Sequence, residues 1–311
     1  MLILLRAVTC SLVLSMPLIA WADWKVPRER LDQKLTQGDL RVYYTQAGEN
    51  AFPADEIYHG KTISAQLVAQ FASADQFYSE NLGLQTPLRS ARYREARSID
   101  VHILDIGKRM GTAGDAVVKF RYQDFSPIGP ALSISLSNRW RPPNSTPNHE
   151  LFHLYQYGYT YFKVPWFLEG LARSMDDAFT NARVNEVPLP SNSVELEQVM
   201  NLSYGANTLW NRVMRLCDPG CRFASGKAGQ PRLCGGFLVR PLLEQYQRLD
   251  RKAAFDRGID PDNWPETEQR SSKNNPYLLS GLHKAIEANC PLVINSELSR
   301  FNNLLDTRDA R

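Results

Sequence analysis

Two histidines and two glutamates in this chain stand at spacings that could hold a metal ion and activate a water beside it. They are His149, Glu150 and His153, in the run His149-Glu150-Leu151-Phe152-His153, and Glu169, in Trp166-Phe167-Leu168-Glu169-Gly170-Leu171-Ala172. On an α-helix residues four apart share a face, so His149 and His153 would present two imidazole nitrogens to one Zn²⁺ at about 2.0–2.1 Å. Glu150 is turned roughly 100° from His149 on the same helix. That removes it from the ligand pair and leaves it beside the ion, where a general base for water is wanted. Glu169 follows after fifteen intervening residues and supplies a third ligand, with the fourth position open. An H-E-x-x-H run fixes only three positions and recurs by chance. The second segment makes the constellation specific, because Trp166 and Phe167 anchor the Glu169 helix while Gly170 and Ala172 let it pack closely. Only five histidines occur in 311 residues, and two of them fall at ligand spacing.

Helices must hold these groups. Thr146-Pro147 is a helix start, with Thr as N-cap and Pro at the first helical position, and the helix is predicted to reach Tyr157 or Gly158. Pro165 restarts the chain for a second helix, which carries Glu169 through to about Phe179. Asp176 and Asp177 follow two turns on. Either could hydrogen-bond a zinc-ligating histidine from behind, although a solvated helix face is the expectation for the pair.

Ahead of the helices, Leu132, Ile134 and Leu136 alternate with Ser133, Ser135 and Ser137. A strand with so polar a face is expected at a sheet edge, where an extended peptide could pair with its backbone. Segments 40–44, 99–103 and 117–122 also read as strands, 61–82 as a helix stopped by Gly83, and 107–114 as a mobile hairpin connection. Residues 23–38 read as an irregular lead-in. His102 points off the apolar face of its strand, which marks a surface histidine or one backing a ligand. Beyond the linker at 187–193 the pattern turns helical, over 195–216, 236–250, 277–289 and 296–306. The fold class expected is α+β: a mixed sheet with an active-site helix over 23–186, then a mostly helical subdomain over 187–311.

Residues 1–22 read as a signal peptide. Arg6 is the only charge before Asp23, residues 7–20 are apolar, and Ala20-Trp21-Ala22 offers the small residues of a cleavage site. The run is too short for a membrane anchor, and no later stretch is long and apolar enough to span a bilayer. A secreted or periplasmic protein is therefore expected, with cleavage after Ala22. Four cysteines then remain, Cys217, Cys221, Cys234 and Cys290. An even number in an exported chain predicts two disulfides, with three connectivities open. Cys217-Asp218-Pro219-Gly220-Cys221 is a turn by composition that one bridge could pin. Lys and Arg number 36 against 33 Asp and Glu, a balance that gives no electrostatic reason for a nucleic-acid or anionic-lipid partner.

Together, the H-E-x-x-H run and Trp166-x-x-Glu169-Gly170-x-Ala172 resemble the gluzincins, the zinc peptidases with a downstream glutamate ligand. The second segment is similar to that of the aminopeptidase N family. The resemblance implies a zincin-like catalytic domain, one Zn²⁺ per chain held by His149, His153 and Glu169, Glu150 as catalytic base, and a peptide or protein substrate. Relatives in this group often carry a tyrosine near the start of a helix after the Glu helix, which hydrogen-bonds the developing oxyanion. Tyr204, in Ser203-Tyr204-Gly205-Ala206, stands in that place, with His283 as the fallback donor. The gap from His153 to Glu169 is shorter than in aminopeptidase N proper, and no Gly-x-Met-Glu-Asn segment is present to hold a free amino terminus. An exported zinc endopeptidase is the resulting expectation. The alternative is an inactive zinc-binding protein that holds peptides, against which the intact Glu150 argues, since binding alone needs no base.

Overall fold

In the computed structural model, which describes residues 25–126, 129–180, 187–223 and 231–309, a short helix α1 (Lys25–Glu29) precedes two antiparallel strands, β1 (Gln33–Gln37) and β2 (Leu40–Tyr44). The lead-in expected to be irregular thus contributes a strand. Gly38 makes the tight turn between them at a φ of 56°, a left-handed conformation that glycine adopts without steric cost. A small hairpin, β3 (Ile57–Tyr58) and β4 (Lys61–Thr62), runs into α2 (Ile63–Gln76). The Thr62 side chain caps that helix by accepting from the Ala65 amide, and Ile63, Leu67, Phe71 and Ala74 form its buried stripe.

The sheet is completed by β5 (Ile99–Leu104), β6 (Gly111–Ala113) and β7 (Leu132–Ser137), in the order β1-β2-β5-β7-β6. The inner strands β2, β5 and β7 are parallel, and β1 and β6 run antiparallel at the two edges. Every residue of β5 and β7 is buried, as parallel strands covered on both faces are. The serine-bearing strand β7 is therefore an interior strand, not the edge. The edge is β6, a three-residue strand within the segment expected to be a hairpin connection. Segment 117–122 forms a single bridge, Val118 to Ala131, in place of a strand.

The polar face of β7 is buried with partners for two of its three serines: Ser137 Oγ accepts from the Arg139 amide, while Ser133 Oγ has no partner among the described residues. Arg28 of α1 donates to Ser135 Oγ at 2.8 and 3.0 Å. Beside it Arg41 pairs with Asp100 and Ser98, and Tyr122 donates to Asp100 Oδ2 at 2.8 Å. His102 lies in this network, not at the surface and not behind a ligand. It is fully buried, with Nε2 2.7 Å from the Tyr122 hydroxyl. Since that hydroxyl already donates to Asp100, His102 Nε2–H is the donor. Burial holds its pKa well below the usual range, with Arg28 acting in the same direction.

On the other face lie the motif helices α3 (Thr146–Tyr159) and α4 (Pro165–Asp177). They are followed by α5 (Ser193–Met200), α6 (Asn207–Cys217), α7 (Val239–Arg257), α8 (Glu266–Gln269), α9 (Asn275–Asn289) and α10 (Ser296–Asp309). The helix expected over 195–216 is broken at 201–206, where Tyr204–Ala206 makes a 3-10 turn. The described residues form an α+β fold, and one hydrophobic cluster runs from Val42 on β2 through α3 and α4 to Leu305 on α10. Cys217 pairs with Cys290 and Cys221 with Cys234, at Cα separations of 4.7 and 4.5 Å. The Cys217–Cys221 turn is thus not closed on itself; its two ends are tied to different partners.

Candidate metal centre

α3 packs against α2, α4, β6 and β7, so His149, Glu150 and His153 are all buried. The two imidazole rings lie 4.6 Å apart and nearly perpendicular. Glu169 Oε2, from α4, lies 3.2 Å from His149 Nε2 and 3.4 Å from His153 Nε2. Tetrahedral zinc with bonds near 2.05 Å separates its donors by roughly 3.3 Å, so this donor set suits that ion. Among the described residues, these three are the one group of His, Cys, Asp and Glu side chains that could hold a metal.

The histidines are oriented from behind. His149 Nδ1 is 3.1 Å from Asp176 Oδ2, and His153 Nδ1 is 2.9 Å from Gln156 Oε1. Gln156 is itself fixed, because its amide nitrogen donates to the Leu168 carbonyl. Each Nδ1 thus faces an oxygen that can hold its proton, which leaves Nε2 of each ring, the atom that faces Glu169, as the nitrogen able to bind an ion. Asp176 is therefore buried and engaged, against the expectation of a solvated face. Asp177 accepts from Asn207 and Asn211 and ties α4 to α6. Sequence reasoning missed Gln156, although its spacing of three from His153 places it on the ligand face of α3.

The Glu169 helix can approach because of its small residues. A Cβ on Gly170 would stand 2.8 Å from Ala206 Cβ and 3.1 Å from Trp210 Nε1. Trp166 and Trp210 stack at 5.4 Å, and Trp210 Nε1 donates to the Trp166 carbonyl.

Charge at the site follows from this packing. Burial disfavours protonation of His149, but its hydrogen bonds to Asp176 and Glu169 outweigh that and push its pKa up to about 10. Glu169 is also penalised by burial, yet the two imidazoles hold it well below the carboxylate range. Burial raises Glu150 and Asp176, which for Glu150 is the direction a general base needs.

Glu150 lies directly under the edge strand. A Cβ on Gly111 would come within 2.6 Å of Glu150 Oε1 and 2.5 Å of Thr146 Cγ2. Tyr204 is half exposed at the rim, its ring 5.6 Å from that of His149. Partial burial, then the Glu169 charge and a hydrogen bond to it, raise the Tyr204 phenol, so it remains a donor. The cleft that joins these groups measures about 660 Å³ and is also lined by Arg109, Arg173, Arg270 and Tyr157. His283 lies outside it and packs on Asn302. No protein-family model, curated protein or solved structure matches the chain.

Proposed function

We propose that the protein is an exported zinc peptidase of the gluzincin type with a zincin-like core, cleaving within peptide chains. The observation that carries this reading is the convergence of His149, His153 and Glu169 beside Glu150, under an exposed strand edge. His149, His153 and Glu169 would hold the ion. Bound there, Zn²⁺ supplies Lewis acidity, polarising a carbonyl and acidifying water. Glu150 takes the proton of the attacking water and delivers it to the departing amine. Tyr204 donates a hydrogen bond to the oxygen that gains charge at the scissile carbonyl. The backbone of β6, at a sheet edge, offers hydrogen bonds to an extended substrate. The two disulfides suit an oxidising compartment, and no helix among the described residues is long and apolar enough to cross a membrane. The signal peptide lies outside the described residues.

Elemental analysis of purified protein is expected to find close to one zinc per chain. Glu150→Gln should keep that zinc and lose about 10²–10⁴-fold of peptide cleavage. Protein without zinc sinks the reading, whereas zinc-loaded protein that cleaves nothing in a broad peptide library makes it a peptide-holding protein instead.

A further inference from the structure

We propose that the cleft selects peptides bearing a carboxylate beside the scissile bond, with Arg270 as the principal side chain that binds it. This rests on the peptidase reading and names the substrate class of the same site. Three guanidinium groups line the cleft, from segments far apart in the chain: Arg109 before β6, Arg173 on α4 and Arg270 after α8. The carboxylates that line it are Glu150, Glu169 and Asp176, and all three are engaged inside the protein. Glu169 faces two imidazoles, Asp176 backs His149, and Glu150 sits beneath Gly111. No lysine lines the cleft among the described residues. Among the lining side chains the three guanidiniums match the three carboxylates, with Arg173 3.5 Å from Asp176 and Arg270 backed from outside the lining by Glu266; a divalent ion would add two positive charges to that balance and turn the cleft cationic towards its substrate.

Arg270 is held in place by a relay. Its Nε donates to Glu266 Oε1 at 2.6 Å, Glu266 Oε2 lies 2.6 Å from Lys163 Nζ, and Lys163 Nζ lies 2.7 Å from Asp115 Oδ2. The Lys163 side chain is only 3% exposed, so the middle of this relay is buried, while Glu266 and Arg270 at its outer end are 45% and 47% exposed. Asp115 is also paired with Arg92 at 2.8 Å, and it stands just beyond the end of β6. Arg270 is therefore referenced to the strand on which a peptide would lie. A guanidinium anchored at Nε presents its two terminal amino groups side by side, the arrangement that receives a carboxylate with two hydrogen bonds. A neutral residue there gains nothing, and a lysine is repelled.

The carboxylate could belong to an internal Asp or Glu side chain or to the chain's C-terminus, and two peptide sets separate these sources. One set is long and amide-capped, with Glu, Gln or Lys flanking the cleaved bond. The other is short, with a free or amidated C-terminus. Zinc-loaded wild type should favour the carboxylate member of one set by about twofold to fivefold in kcat/KM. Arg270→Gln should erase that ratio and Arg270→Glu should turn it towards lysine. Fluorescence anisotropy of the same peptides on Glu150→Gln protein should give the same order of affinity, weakening as salt is added. Cleavage without a carboxylate preference, or a preference unmoved by both Arg270 variants, overturns the proposal and leaves the peptidase reading standing. Carboxylate-selective binding with no cleavage by wild type overturns the peptidase reading and keeps the anion-selective cleft. Absence of both binding and cleavage overturns both.

Discussion

Replacing Asp176 by asparagine tests whether the metal site is built from behind as well as from its three donors. Asp176 is 3% exposed, and its Oδ2 holds His149 Nδ1 at 3.1 Å. Asparagine has the same shape but brings amide hydrogens. If its nitrogen faces His149, the imidazole proton must move to Nε2, the atom that faces Glu169, and Nε2 can no longer donate a lone pair to an ion. If its oxygen faces His149, the amide nitrogen takes the place of Oδ1, a buried atom with no hydrogen-bond partner, and the negative charge behind the imidazole is lost. Either way zinc affinity should fall by about 10–100-fold, or ~1.4–2.8 kcal/mol. Competition against a fluorescent zinc chelator at fixed pH measures this directly. Asp177→Asn is the control, because among the described residues Asp177 bonds to Asn207 and Asn211 and not to either histidine, and its loss should leave zinc affinity alone. An unchanged affinity in Asp176→Asn, or an equal loss in both variants, refutes the reasoning.

Three further outcomes follow from the same geometry. With His149 pushed up to about 10 in the metal-free protein, zinc must displace a proton near neutral pH, and calorimetry in buffers of different ionisation heat should find about one released per ion. Because that folded pKa lies above the ordinary value of 6.5, the stability it contributes is full below pH 6.5 and lost as pH rises towards 10; the Tm of chelator-treated protein should fall across that window. Gly111→Ala places a Cβ within 2.6 Å of Glu150 Oε1, so it should depress peptide cleavage while zinc content, read by elemental analysis, stays near one per chain. Tyr122→Phe leaves Asp100 Oδ2 and His102 Nε2 without their shared hydroxyl, and should cost about 1–3 kcal/mol in urea unfolding without changing zinc affinity.

The convergence of His149, His153 and Glu169 was legible because helical periodicity is local: His149 and His153 share a face by spacing alone, and Pro147 and Pro165 mark the starts of both helices. The strands read at 40–44 and 99–103 were equally plain from their β-rich or alternating patterns, and are observed at 40–44 and 99–104. What misled was polarity. The serines of β7 and His102 on β5 look solvent-facing until Arg28 and Tyr122 arrive from other segments of the chain, Tyr122 bonding both His102 and its strand neighbour Asp100, and let the second face of the sheet be buried. Asp176 and Asp177 are indistinguishable by pattern, and only the packing of α4 against both α3 and α6 sends one to His149 and the other to Asn211. The edge strand β6 is three residues long and contains a glycine, too short for periodicity to register. Its partner β7 lies beyond an intervening stretch. The arginines of the cleft carry no local signal at all.

This division between near and far residues has a consequence for the order in which the molecule assembles. The three candidate metal donors and the carboxylate behind them fall within one short stretch, with His149 and Asp176 27 residues apart. Closing so short a loop costs little chain entropy. The outer wall of the cleft instead rests on contacts such as Lys163 to Glu266, 103 residues apart. Contacts of that span form late and slowly. A chain with its C-terminal helices misplaced could still collect the two histidines and Glu169 on a pair of adjoining helices. Metal content would then report only the most local part of the structure, and the distance from that state to a competent cleft would be set by helices far along the chain.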